Sequence, residues 1–77
     1  MTESEFQRLH TGDRVRLKMD ITAALEAEIN ELCALRLAGK SVTIKKMRER
    51  YIQIEESIIS WWFPMEFIEC AEEKQTV

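Results

Sequence analysis

Glycine, proline, histidine and cysteine are all scarce in this chain, at two, one, one and two of 77 residues. The two glycines, Gly12 and Gly39, stand 27 positions apart and cannot form a glycine-rich phosphate loop. One histidine, His10, would have to serve any Ser-His-Asp or Cys-His arrangement, and its spacing to Cys33 and Cys70 favours neither. Zinc would need ligands from His10, both cysteines and carboxylates with no short paired spacing among them, so neither a metal nor a cofactor is expected. Two cysteines with no secretory signal read as free thiols rather than a disulfide framework. No apolar run approaches the roughly 20 residues that span a bilayer, and Met1-Thr2-Glu3-Ser4-Glu5 is acidic, which predicts a cytoplasmic protein with no membrane attachment. Glu55-Glu56 and Glu72-Glu73 are sequence neighbours that a strand would point to opposite faces, which makes them solubilising residues rather than an acid/base couple. The expected class is a binding protein and not an enzyme.

What the chain does contain is enough to fold. A length of 77 residues allows one domain, which buries about 60% of the surface of the unfolded chain. With 45% hydrophobic and 32% charged residues the composition is globular rather than disordered. Charge is unevenly placed: residues 1–50 carry ten bases against eight acids, and residues 51–77 one base against six. Eight of the bases form two clusters, Arg14, Arg16 and Lys18, then Lys40, Lys45, Lys46, Arg48 and Arg50. Paired as strands, these segments would make either an ordinary solvated face or a phosphate-binding one.

Periodicity divides the chain. Residues 1–10 form an N-terminal segment from which Phe6 and Leu9 can pack on the domain, and Thr11-Gly12-Asp13 reads as a turn. Strict alternation follows, with Val15, Leu17, Met19 and Ile21 on one side and Arg14, Arg16, Lys18 and Asp20 on the other, which predicts a half-buried strand. Ala23 to Ala38 predicts one amphipathic helix with Leu25, Ile29, Leu32 and Arg36 on one stripe, ending at Gly39. Val42-Thr43-Ile44 and Tyr51-Ile52 flank a charged Arg48-Glu49-Arg50 turn and predict a hairpin. A rival is a long helix, because Ile44, Met47, Tyr51, Ile54, Ile58 and Trp61 fall at three- and four-residue spacing, which would make two helices and a helix-turn-helix binder. The β-branched and aromatic clusters, Ile58-Ile59 included, favour strands. Finally, Trp61-Trp62-Phe63-Pro64-Met65-Glu66-Phe67-Ile68-Glu69 puts four aromatics and the one proline into nine residues, reading as strand, tight crossing, strand. As strand neighbours, Trp61 and Trp62 should point to opposite faces.

Gly12-Asp13-Arg14-Val15-Arg16-Leu17, Leu37-Ala38-Gly39-Lys40 leading into Val42-Thr43-Ile44-Lys45, Arg50-Tyr51 with Ile54-Glu55-Glu56, and the aromatic segment occur in an order that resembles small phage and prophage proteins of Gram-positive bacteria. Those proteins resemble Src-homology-3-like and KOW-type small barrels, which begin with a Gly-Asp-x-Val strand and close through a 3₁₀ turn. The resemblance, over about residues 11–70, implies a mainly β, α+β fold, a small barrel of about five strands with an amphipathic helix inserted near residues 23–38; the domain is expected over 11–71, after a partly flexible segment at 1–10 and before a flexible acidic tail at 72–77. Phe63-Pro64-Met65-Glu66-Phe67-Ile68 is similar to the closing motif of peptide-binding Src-homology-3 domains, from which Pro64 and Phe67 carry over. Their tandem tryptophans, however, lie a hairpin earlier, and an acidic first loop is missing here. Proline-rich recognition is therefore not implied. The glycine that marks the KOW motif likewise has no counterpart after Lys40.

The resulting expectation is a phage- or prophage-type accessory module in a bacterial host cell that acts through a protein partner, as an inhibitor of a host or defence component. Its partner-binding residues would be Tyr51, Trp61, Trp62 and Phe67, since so small a barrel cannot bury every aromatic. The alternative is a nucleic-acid-binding barrel using Arg14, Arg16, Lys18, Lys45, Lys46 and Arg48, with Tyr51 or a tryptophan as a stacking platform. The helix offers a further surface for homodimer formation.

Overall fold

The computed structural model describes residues 1–72. Residues 73–77, most of the expected acidic tail, lie outside the described residues. Helix α1, Glu3–Gln7, begins at a capping box: Thr2 Oγ1 accepts from the Glu5 amide, and the Glu5 carboxylate accepts from the Thr2 amide, both at 3.2 Å. Phe6 and Leu9 are buried in the core, and the terminal amine donates to the Ile68 carbonyl. The N-terminal segment thus folds onto the domain.

Five strands form one antiparallel sheet: β1 Arg14–Leu17, β2 Ser41–Arg48, β3 Tyr51–Ile54, β4 Phe63–Pro64 and β5 Ile68–Ala71, in the order β4-β3-β2-β1-β5. The predicted hairpin is present, with Arg48 opposite Tyr51, Met47 opposite Ile52 and Glu49 at φ +49° in the connection. Residues 42–54 are accordingly strands and not a long helix. The sheet is open, because β4 and β5 are its two edges and no ladder joins them. A closed barrel was expected; the architecture observed is a compact α+β domain with a five-stranded antiparallel sheet and a few short helices.

Two strand boundaries differ from the alternating pattern. β1 stops at Leu17 rather than Ile21, because the pairing with β5 slips between Arg16 and Leu17, after which the Lys18 amide donates to Phe67 and the Lys18 carbonyl accepts from Gly39. Met19 is left exposed. In β2 the register shifts between Ile44 and Lys46, so Lys45 is an extra residue that bends the strand.

The single helix expected over 23–38 is two helices, α2 Thr22–Glu26 and α3 Glu31–Leu37. The break has two local causes. At the end of α2, the Ile29 amide reaches back to the Ala24 carbonyl and the Glu28 amide to Leu25, with Glu28 left-handed at φ +64°, a Schellman closure made without glycine. Asn30 then caps α3, its Oδ1 accepting from the Leu32 amide at 3.0 Å and the Cys33 amide at 3.3 Å. This break resets the helical phase. Ala24, Ile29, Ala34 and Leu37 are buried, whereas Leu25, Leu32 and Leu35 are exposed. Leu37-Ala38-Gly39-Lys40 is a type II turn, with Ala38 at φ −54° and ψ 129°, Gly39 at φ +72°, and the Lys40 amide on the Leu37 carbonyl.

Pro64 lies on edge strand β4, where a missing amide donor breaks no ladder, and leads into a 3₁₀ turn at Met65–Phe67. Phe63 and Phe67 stack at 6.1 Å between centroids, and both are fully buried. Val15, Leu17, Ile44 and Ile52 complete the centre of the core.

Candidate partner-binding surfaces

The sheet's outer face is built by strand alternation. Val15 and Leu17 point inward, which turns Arg14 and Arg16 outward beside Thr43 and Ser41 on β2. Arg14 donates to Thr43 Oγ1 and the Ser41 carbonyl and lies 3.9 Å from Glu56. Glu56 in turn accepts from both the amide and the hydroxyl of Thr43. Arg16 sits 4.0 Å from Glu72. Lys18 lines a shallow polar cleft with Asp20, Glu26 and Glu66. Acids therefore accompany the first basic cluster.

The second cluster differs. Beyond the bulge, Lys46 faces Gln53 and Arg48 faces Tyr51 across the hairpin. Lys45, Lys46 and Arg48 are exposed, and among the described residues none of them joins an ion pair, while Arg50 pairs with Glu3 at 3.3 Å. Glu56 and Glu72 interrupt the basic residues at the first cluster, whereas the bulge at Lys45 turns Lys46 and Arg48 to the same outward sheet face as Arg14 and Arg16.

The aromatic residues divide in the same way. Tyr51 is 40% exposed, with Pro64 opposite it on β4. Arg48 stands over the Trp62 ring, 5.8 Å from guanidinium carbon to ring centroid, so Arg48, Tyr51 and Trp62 share one outward patch. Trp61 packs against the core, and its buried indole Nε1 has no hydrogen-bond partner. The two tryptophans precede β4 rather than lying in it and both are half-buried, Trp61 against the core and Trp62 under the Arg48 guanidinium. Phe67 is fully buried and belongs to the core, so it offers a partner no surface.

A second surface includes Leu32, expected on the helix's buried stripe, and Ile58-Ile59, expected as strand, none of which was among the residues expected to bind a partner. Leu32, Cys33 and Leu37 on α3 and Ile58 and Ile59 in the β3–β4 connection line an open groove of about 310 Å³. Ile58 is 95% exposed and Leu32 75%. Ile58-Ile59 reads as strand material by composition, but it lies outside any strand. The available signal was Asn30, whose capping role restarts the helix and moves Leu32 to the outside.

Two carboxylates are held below their usual range. Donation from the Thr22 side chain and then from its amide lowers Asp20, and the Thr2 amide and then its hydroxyl lower Glu5. Both stabilise helix starts rather than a reactive site. Cys33 and Cys70 are free thiols. Among the described residues no helix is long and apolar enough to cross a membrane.

No protein-family model, curated protein or solved structure matches the chain.

Proposed function

We propose that this chain is a non-enzymatic accessory module that acts by binding a protein partner at the Arg48–Tyr51–Trp62 face. The observation that carries this reading is the cation–π pair of Arg48 and Trp62 beside a part-exposed tyrosine. Tryptophan, tyrosine and arginine are the residues most enriched at energetic centres of protein interfaces, and here Arg48 and Tyr51 are held by a two-stranded hairpin while Trp62 stands in the segment leading into β4. Preorganised side chains lose less entropy on association. The resemblance to phage and prophage small barrels adds the expectation of a host or defence component as the target. The 3₁₀ turn between the last two strands supports that resemblance, while the open sheet leaves the barrel itself a part of the proposal.

A second reading is favoured by one observation, Lys45, Lys46 and Arg48 without an ion pair among the described residues and beside the same aromatics, which would suit a single-stranded nucleic acid. Salt separates the two. Three phosphate contacts predict a loss of roughly 20- to 40-fold in affinity between about 50 and 200 mM salt, and an aromatic-anchored protein contact changes far less. The test is retention of a protein from extracts of the source cell on the immobilised chain, compared with the Tyr51→Ala/Trp62→Ala variant. Retention lost in the variant and insensitive to salt is the expected result. Retention equal in both would refute the assignment of this face, and oligonucleotide binding with the steep salt slope would replace it with the second reading.

A further inference from the structure

We infer that the chain forms a two-fold homodimer through the outward face of α3 and the adjoining Ile58-Ile59 loop. This surface is separate from the Arg48–Trp62 face and does not rest on the function proposed for it. Isolated exposed aliphatics are ordinary on protein surfaces, but here Leu32, Leu35, Ile58 and Ile59 are 75%, 52%, 95% and 60% exposed, three of them on a single groove. The groove has room for an aliphatic side chain from outside, and the protruding Ile58 at its margin is such a side chain on a second copy.

Charge distribution selects a second copy as the occupant. At helical spacing, the face of α3 opposite Ala34 and Leu37 carries, in order around the helix, Glu31, Leu35, Leu32 and Arg36. The leucines are central, and the two charges stand at opposite corners, the acid in the first turn and the base in the last. Neither charge joins an ion pair among the described residues. A two-fold axis in the contact plane, running along the line of the leucines, packs Leu32 on the partner's Leu32 and Leu35 on the partner's Leu35. The same rotation exchanges the corners and sets each Glu31 against the partner's Arg36. An isologous interface requires this kind of self-complementarity. A foreign helix with charge of one sign would meet one matching and one opposing corner.

Sedimentation equilibrium of the full chain across about 5 to 500 µM tests this, a range suited to a small, part-polar interface. The expected result is a monomer–dimer equilibrium that Leu32→Glu shifts at least about 100-fold toward monomer and that Ile58→Ser also weakens, with unchanged far-ultraviolet circular dichroism because both sites are exposed. Glu31→Arg and Arg36→Glu should each weaken association about tenfold, and the double exchange should recover to within about threefold of the natural chain. A natural chain that stays monomeric throughout overturns the inference, whether or not a foreign protein covers the groove. A dimer indifferent to both Leu32→Glu and Ile58→Ser overturns it as well, and a double exchange that fails to recover refutes the two-fold pairing.

Discussion

The guanidinium carbon of Arg48 lies 5.8 Å from the centroid of the Trp62 ring, joining β2 to the segment that leads into β4 across the outer face of the hairpin. A cation over an indole at a partly exposed site contributes about 0.5–1 kcal/mol. Arg48→Ala should therefore lower stability by no more than about 1 kcal/mol in urea while shifting tryptophan fluorescence, and Arg48→Lys should recover part of the shift. A fluorescence spectrum unchanged by Arg48→Ala would mean that the pair does not persist in solution.

Phe67 provides the contrasting case. Its ring is fully buried against Phe63, and truncation to alanine leaves a cavity costing about 3–5 kcal/mol, a large share of what so small a domain has. Phe67→Ala should be mostly unfolded or melt far below the natural chain, whereas Tyr51→Ala should remain folded. Calorimetry on the two variants checks this assignment of one aromatic to the core and the other to the surface.

The sign of one substitution tests the broken helix. In a continuous helix over 23–38, Glu28→Gly would cost about 1 kcal/mol, as interior glycines do. With Glu28 at φ +64° the same change removes left-handed strain and should stabilise by up to about 1 kcal/mol. Chemical denaturation gives the sign directly, and a destabilised variant would restore the single helix.

Gly39 has two reasons to be glycine, and they can be separated. Its φ of +72° strains any Cβ, and that Cβ would also collide with Met19 Sδ. Gly39→Ala should destabilise by about 1–2 kcal/mol, and adding Met19→Ala should return only the part due to the collision. Gly12→Ala, with φ +91° and open space around the position, should show the conformational cost alone. Equal losses at the two glycines would mean that the exposed Met19 side chain turns aside at little cost.

Asp20 makes acid titration informative. Thr22 donates its hydroxyl at 2.6 Å and its amide at 2.9 Å to Asp20 Oδ1, which depresses the folded-state pKa. A depressed carboxylate contributes stability that is complete above its unfolded value and fades as pH falls through the lower folded value. In Thr22→Ala the Asp20 titration, followed by nuclear magnetic resonance, should move up toward the ordinary aspartate range, since the larger of its two stabilising bonds is lost. Movement downward would contradict the Thr22–Asp20 hydrogen bond.

Where two physical signals coincided, the sequence was readable. Val15 and Leu17 alternate with arginines, and Tyr51-Ile52 combines β-branched and aromatic propensity with a charged turn before it, so β1 and the β2–β3 hairpin could be placed by period alone. Gly12 and Gly39 marked their turns because their φ values suit glycine best. The Schellman closure at Glu28 was not legible, since a left-handed glutamate carries no sequence mark, and Leu32, expected on the buried stripe, is exposed as a consequence. The bulge at Lys45 was equally silent, and with it the turning of Lys46 and Arg48 to the outer face of the sheet.

By itself, then, the sequence determined the start of β1, the β2–β3 hairpin, the glycine turns and the crowding of aromatics around Pro64, because these follow from local periodicity and backbone preference. Only the tertiary structure decided which of those residues form a surface. Phe67 went inward against Phe63, Trp62 outward under Arg48, Arg14 and Arg16 to Glu56 and Glu72, and Ile58 into solvent beside Leu32. Apart from the local Phe63–Phe67 stack, each outcome depends on a contact between segments distant in the chain, and the free energy of such a contact exists only once the sheet has brought them together.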